Sequence, residues 1–354
     1  MKLIIHATNV TGLGASQVVV TLLEAFDRLK LPYDSVTCYV PASGPVSDYT
    51  PQGDLLKIIR YQRRLPKLIS RVVECLFPKQ CFESADAYIV LGDIPLRLKS
   101  KQLLFVHQAH LISPAVNQWV SRGLSFRVMR TLIRLNSRYV DQVIVQTEAM
   151  SSGLYRSYPD WKRRACINPV GQPPPNWFSI SPGSVCFEDV AEGLRLFYPA
   201  ATYPHKNHAV FEGLFQQDVK SVINRLTLTV DQTQFQNAPD WVECVGRLDH
   251  AGCLAAYRNT HALVFPSVLE SYGLPLVEAM KMGLPVIVAD LPYARVLCQT
   301  EAIYFDPESS TDLLEAIKEL QRRLLDGWRP DWSACLADMP STWEEVAQAF
   351  LDEL

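Results

Sequence analysis

The sequence predicts an α/β protein made of two doubly wound, Rossmann-like parallel sheets. Three observations carry this. Short apolar runs rich in Val, Ile, Leu and Tyr alternate with amphipathic stretches of helical spacing, the pattern of strand–helix–strand crossovers. The alternation breaks at the most proline-dense stretch, Asn168–Asn176, and then restarts. The 354 residues suit two domains of about 150 residues each.

The elements follow in order. Lys2–Asn9 reads as the first strand, and a glycine-containing turn leads to a helix from about Ser16 to Lys30. Further strands are expected at Tyr33–Val40, Ala87–Leu91, Gln102–His107 and Gln142–Gln146. After the proline-dense linker come strands at Leu194–Pro199, Leu226–Val230, Trp241–Val245, Ala262–Pro266, Pro285–Ala289 and Ala302–Phe305. Helices are expected at Leu274–Met282 and Thr311–Leu325. A last helix, Ser341–Leu354, spaces Trp343, Val346, Phe350 and Leu354 on one face and can pack near the hinge or cross back onto the first domain. The expected domains are residues 1–172 and 173–340, followed by the helix 341–354. A ligand is expected in the interdomain cleft, at the C-terminal ends of the strands.

Composition narrows the class. Hydrophobic residues make up 48% and charged residues 20%, which excludes disordered and collagen-like chains. No apolar run approaches the roughly 18–20 residues that cross a bilayer, and the first residues turn polar too early for a signal peptide. The nine cysteines are scattered without a Cys-x-x-Cys pair, which fits reduced thiols in a cytoplasmic protein. No His-Glu-x-x-His motif or carboxylate cluster is present, so no metal is expected. The net charge of −3 conceals an asymmetry. Residues 1–165 hold 22 Lys and Arg against 12 Asp and Glu, and the remainder holds 12 against 25. Two halves of opposite charge face different partners.

The most informative segment is Phe265–Met280. An apolar strand ends at Pro266, a loop follows, and Pro275 marks the first turn of a helix. The amides of Tyr272, Gly273 and Leu274 then stand at a helix N-terminus, where free N–H groups and the helix dipole favour an anion. Glu270 and Glu278 put carboxylates at opposite ends of one ligand, too far apart to chelate one metal ion. Taken singly, Glu278 also reads as an acid suited to the helix dipole, and Glu270 as a solvated loop acid.

This segment resembles the Glu–seven residues–Glu signature of the retaining glycosyltransferases of family 4. Trp241–Leu248 and Leu254–Arg258 resemble the strand and helix that precede the signature, and Gly283–Asp290 and Ala302–Pro307 the strands that follow. The likeness is strong over about residues 194–320 and weaker, in the same order, before them. It implies the two-domain GT-B fold, with an acceptor-binding first domain and a nucleotide-sugar-binding second. It also implies retention at the anomeric carbon. By resemblance, Glu278 binds the ribose hydroxyls, Glu270 contacts the transferred sugar, and the amides of Tyr272 to Leu274 hold phosphate and sugar oxygens.

Three further clusters join this reading. Lys206, in Tyr203–His208 after a strand end, is placed to neutralise a leaving diphosphate. The family often pairs this lysine with an arginine five residues earlier; Ala201 stands there, and Arg247 is the substitute expected from a neighbouring strand end. Gly12 and Gly14 lie in a turn where backbone can approach a phosphate. As a dinucleotide fingerprint that turn fails, because Gln17 holds the third glycine position and no acid ends the second strand. His107, at the polar end of Leu104–His110, matches a family histidine near the sugar, with His110 as the runner-up.

The expected activity is that of a metal-independent retaining glycosyltransferase without a cofactor. It would use a UDP- or GDP-sugar donor and a glycan or lipid-linked acceptor, in surface polysaccharide or lipopolysaccharide synthesis. A non-catalytic nucleotide-sugar binder and a nucleotide-sugar epimerase are the alternatives. Two basic stretches, 55–71 and 122–138, interleave Lys and Arg with Leu, Ile, Met and Phe. Both read as basic amphipathic helices able to lie in peripheral contact with an anionic membrane, and the second reads equally as a helix packed on the sheet with a solvated basic face. No nucleic-acid recognition motif accompanies them.

Overall fold

The structure is a computed structural model that describes residues 1–174, 187 and 189–354. It divides into two compact units, Met1–Pro175 with Met339–Leu354, and Asn176–Asp338.

The first unit holds seven strands: β1 (Lys2–His6), β2 (Ser35–Pro41), β3 (Leu56–Tyr61), β4 (Ala87–Val90), β5 (Lys101–Phe105), β6 (Gln142–Val145) and β7 (Cys166–Pro169). They pair in parallel in the order β3-β2-β1-β4-β5-β6-β7. Its main helices are α1 (Leu13–Arg28), α2 (Lys67–Leu76), α3 (Leu124–Asn136) and α4 (Glu148–Ser157). The central strands are buried on both faces, as a sheet covered by crossover helices requires: Leu3, Ile4, Ile5, Ile89, Val90, Leu103 and Leu104 are inaccessible to solvent.

The second unit has six strands: β8 (Leu194–Tyr198), β9 (Ile223–Leu228), β10 (Val242–Cys244), β11 (Ala262–Phe265), β12 (Val286–Ala289) and β13 (Ile303–Phe305). Their order is β10-β9-β8-β11-β12-β13, again all parallel. Helices α5 (His250–Arg258), α6 (Leu274–Lys281), α7 (Pro292–Cys298) and α8 (Ser310–Leu325) cover it. In each sheet the strand order reverses once, between β1 and β4 and between β8 and β11. That reversal is the switch point at which doubly wound sheets bind ligands.

The last helix, α9 (Trp343–Asp352), buries Val346 and Phe350 against the first unit, where Phe350 meets Phe26 and Phe105 edge-on.

The structure differs from the sequence reading in two places. Residues 55–71 are not one basic helix: Leu56–Tyr61 is the edge strand β3, and a turn separates it from α2. Lys57 and Arg60 are three positions apart, a spacing that reads as helical, and over six residues periodicity alone does not separate a helix from an edge strand. The proline-dense stretch begins inside β7, where Pro169 ends an edge strand and Val170 N still bonds to Val145 O at 2.8 Å. The end of that stretch, Pro175 and Asn176, lies outside the described residues.

Candidate active site

The second unit's switch point is where the chemistry gathers. Lys206 follows β8 and Glu270 follows β11, the two strands that flank the reversal. Lys206 Nζ donates to Glu270 Oε1 at 2.5 Å, with both side chains largely shielded from solvent. The ammonium also stands 5.7 Å from the centre of the Phe265 ring.

Buried hydroxyls and amides fix the two loops to one another. Tyr198 Oη donates to Lys206 O at 2.8 Å, and Tyr293 Oη to Ser267 O at 2.6 Å. His205 O accepts from Ser267 Oγ at 3.1 Å and from Val268 N at 2.8 Å. Asn207 sits in the left-handed region at φ 53°, and its Nδ2 donates to Pro307 O at 2.8 Å and Pro266 O at 3.3 Å. One amide thus ties together the loops after β8, β11 and β13. These bonds fix the backbone of the loops that carry the pair, which suits an electrostatic site.

Helix α6 begins beside it. Gly273 caps the helix at φ 94°, a conformation that suits glycine, and a Cβ there would lie 3.1 Å from Leu276 Cδ1. No side chain caps the helix and no acid occupies its first turn; Pro275 has no N–H and Leu276 N donates to Gly273 O at 2.9 Å, so the amide of Leu274 is the helical one that faces the loop. Glu278 lies beyond the first turn, which removes the dipole explanation for it. It is half-buried, and fully buried Tyr257 on α5 donates to Glu278 Oε2 at 2.9 Å. Burial raises the Glu278 carboxyl above its ordinary value, and the Tyr257 hydrogen bond opposes this in part. Tyr272 is itself buried.

Arg247 is not brought to this pair by any contact. It follows β10, the edge strand, two strands away from β8, and is exposed with no hydrogen bond or ion pair among the described residues.

In the first unit, Gly12 and Gly14 flank the start of α1. Neither has positive φ, and a Cβ at either would meet nothing within 4 Å. The fold itself therefore does not need glycine at these positions. Close by in sequence, Asn9 Nδ2 and Ser16 Oγ are buried with no hydrogen-bond partner among the described residues. Below them lies a charged network the sequence reading missed. Fully buried Glu74 accepts from Arg63 Nε at 3.0 Å, Thr8 Oγ1 at 2.6 Å and Ser70 Oγ at 2.8 Å, with His6 Nε2 at 3.7 Å. These donors hold its carboxyl down to about 2 against the cost of burial. Arg63 also reaches Asn9 Oδ1 at 2.5 Å, and Lys67 Nζ donates to Thr11 Oγ1 at 2.9 Å.

His107 lies just past β5. Its backbone N donates to Asp93 Oδ1 at 2.9 Å, and its Nδ1 is 3.6 Å from the same oxygen. Asp93 is non-glycine at φ 67°, a strained position of the kind found at functional sites. His110 is occupied structurally: its Nδ1 accepts from Ser121 N at 3.0 Å and its carbonyl from Arg130 at 2.6 Å. Asp93, Tyr257 and Asn207 left no signal in a single sequence, because their roles arise from partners 14 to 100 residues away. Among the described residues, no group of three or more His, Cys, Asp or Glu is placed to hold a metal ion.

The match to a family model falls in the same unit. Residues 225–323 match the family model of the group 1 glycosyl transferases. Over 63 residues the chain is 41% identical to the serotype-specific mannosyltransferase WbdA of Escherichia coli, covering 18% of this chain and 8% of that protein. Over 66 residues it is 36% identical to the O-antigen chain mannosyltransferase RfbU of Salmonella typhimurium, covering 19% of each. The chain thus matches less than a fifth of the length of these curated relatives. Among solved structures, Anabaena HepE in complex with UDP and glucose superposes with a TM-score of 0.63 at 14% identity, covering all of this chain and 96% of that one. Residues 225–323 thus resemble the group 1 glycosyl transferases, and the two parallel sheets share the GT-B fold of glycosyltransferases of known structure.

Proposed function

We propose that the protein is a metal-independent, retaining glycosyltransferase that moves a sugar from a nucleotide-diphosphate sugar to a glycan or lipid-linked acceptor. The observation that carries this is the Lys206–Glu270 pair at the β8/β11 switch point, beside the uncapped start of α6. A pyrophosphate bound there meets one ammonium and the amide at the start of a helix. As the glycosidic bond to phosphate breaks, negative charge grows on the leaving oxygen, and Lys206 stabilises it. Glu270, released from Lys206 by the incoming phosphate, accepts hydrogen bonds from hydroxyls of the transferred sugar. Glu278, oriented by Tyr257, accepts from the ribose hydroxyls. The acceptor hydroxyl attacks on the face from which the diphosphate departs, which gives retention.

The first unit receives the acceptor. Open space at Gly12 and Gly14, the orphaned atoms of Asn9 and Ser16, and the nearby cations Arg63 and Lys67 suit a phosphate-bearing or otherwise anionic molecule. His107, held by Asp93 at the end of β5, is a further polar group offered to the acceptor. The names of the relatives make mannosyl transfer to an O-antigen chain the first activity to test, and the basic first half adds lipopolysaccharide synthesis at the cytoplasmic face of an anionic membrane as the setting we infer.

The test is a panel of UDP- and GDP-sugars scored for nucleotide release with and without acceptor. One donor is expected to turn over, slowly with water and faster with acceptor. Binding without turnover of any donor would select the non-catalytic binder, and interconversion of the free nucleotide sugar would select the epimerase.

A further inference from the structure

Helix α2 is inverted. Its polar and charged residues Ser70, Arg71 and Glu74 are buried, while Ile69 is 52% exposed and Phe77, just past its end, 53% exposed. Burial of the polar side is explained by the Glu74 network and by Arg71 Nη2, which donates to Gly92 O at 2.6 Å. On the apolar side Leu68, Val72, Val73 and Leu76 are half-buried, and Ile69 and Phe77 stand out of it. A soluble surface helix shows the opposite distribution.

The face continues onto α3. The two helices run side by side: Arg71 Nη1 meets Met129 Sδ at 3.7 Å midway, and Asn136 Nδ2 donates to Cys75 O at 3.0 Å near their C-terminal ends. Helix α3 contributes exposed Leu124 and Leu135. Its exposed charges, Arg127, Arg134 and Arg138 near its end, are all positive, as are Arg64 and Lys67 at the start of α2. Across residues 62–82 and 110–140 the only carboxylate is Glu74, which is buried and already paired. An apolar stripe framed by cations and free of exposed acids complements one surface chemistry, a layer of phosphates over hydrocarbon.

We propose that this α2–α3 face docks on an anionic lipid bilayer, with Ile69 and Phe77 entering the headgroup boundary and the flanking cations meeting lipid phosphates. This deepens the membrane part of the function proposed above and is independent of the donor chemistry. It also reassigns the contact. Arg63 and Arg71, which a helical reading of 55–71 would place on the membrane, point into the fold, and the apolar residues between them point out.

The experiment is sedimentation with vesicles of phosphatidylcholine alone or with about 30% phosphatidylglycerol, at low and high salt. Wild type is expected to sediment with the anionic vesicles and to be released by salt. The double variant Ile69→Asp, Phe77→Asp is expected to lower partitioning by about tenfold or more, since both side chains lose their apolar contact. Arg127→Ser with Arg134→Ser should lower it less and remove most of the salt dependence. Circular dichroism and nucleoside diphosphate affinity, measured on the same variants, should stay at wild-type values, which separates this face from the donor site. Wild type left in the supernatant at low salt would overturn the proposal. So would a double variant that partitions like wild type, or one whose only change is from dimer to monomer, which would assign the face to a second copy of the chain.

Discussion

Glu270 holds the Lys206 ammonium, and under the proposed function, in which that ammonium meets a diphosphate, this makes opposite predictions for binding and turnover. Glu270→Gln removes the competing charge, so nucleoside diphosphate should bind roughly tenfold tighter, worth about 1.4 kcal/mol. Turnover should fall by roughly 100-fold, because the contact to the sugar loses its charge. Calorimetry and steady-state rates on one preparation read both. Tyr257→Phe removes the hydroxyl that orients Glu278, and KM for the donor should rise with little change in kcat. The pH dependence has a definite sign. Burial raises the Glu278 carboxyl, so donor affinity should fall with decreasing pH earlier than an ordinary carboxylate would cause. Without the Tyr257 hydrogen bond that limb should move to still higher pH, with Cys253 the other titratable group acting on this pair. An unchanged pH profile in Tyr257→Phe would contradict the orienting role. At this scale the sequence showed Lys206, Glu270 and Glu278, because each lies in a local pattern of strand end, loop and helix start. It did not show Tyr257, Asp93 or Asn207, whose importance lies in a bond to a distant chain segment.

Among elements, α2 is held by what it buries. Glu74→Ala leaves Arg63 and His6 facing a void in a closed site, and should destabilise the first unit by about 3–5 kcal/mol. The network also sets an acid limit. With a folded value near 2, Glu74 contributes stability that is complete above its unfolded value of about 4.5 and is lost as pH falls toward 2. Thermal melts from pH 7 down to pH 2 should show the loss beginning near pH 4.5 in wild type, and Glu74→Gln should flatten that part of the curve. The strands with continuous apolar runs were legible because a doubly covered sheet leaves no polar face. Strand β3 was not, since its two charges, Lys57 and Arg60, stand three positions apart in a six-residue segment, a spacing that fits period 3.6 better than period 2. The inversion of α2 was illegible for a related reason. Periodicity shows that a helix has two faces, and only the partners of Glu74 and Arg71 show which one is inside.

For the molecule as a whole, the last helix belongs to the first unit although the second unit lies between them in sequence. Phe350 packs on Phe105 of the central sheet and Phe26 of α1. Phe350→Ala should therefore cost about 3–5 kcal/mol in the first unit and leave the second unit's nucleotide affinity unchanged. Chemical denaturation followed alongside nucleotide binding would show this, and equal loss in both would contradict the division. The two-sheet architecture was readable from the alternation and its restart, and the strand order then fixed where each loop ends. Both switch points carry charge: Lys206 with Glu270 in one, and Arg63, Lys67 and Glu74 close to the other. The central claim concerns the first of these, and a crystal soaked with UDP or GDP tests it most directly. The account predicts pyrophosphate density between Lys206 Nζ and the start of α6, with the ribose at Glu278. Nucleotide bound at another place, with that position filled only by solvent, would contradict it.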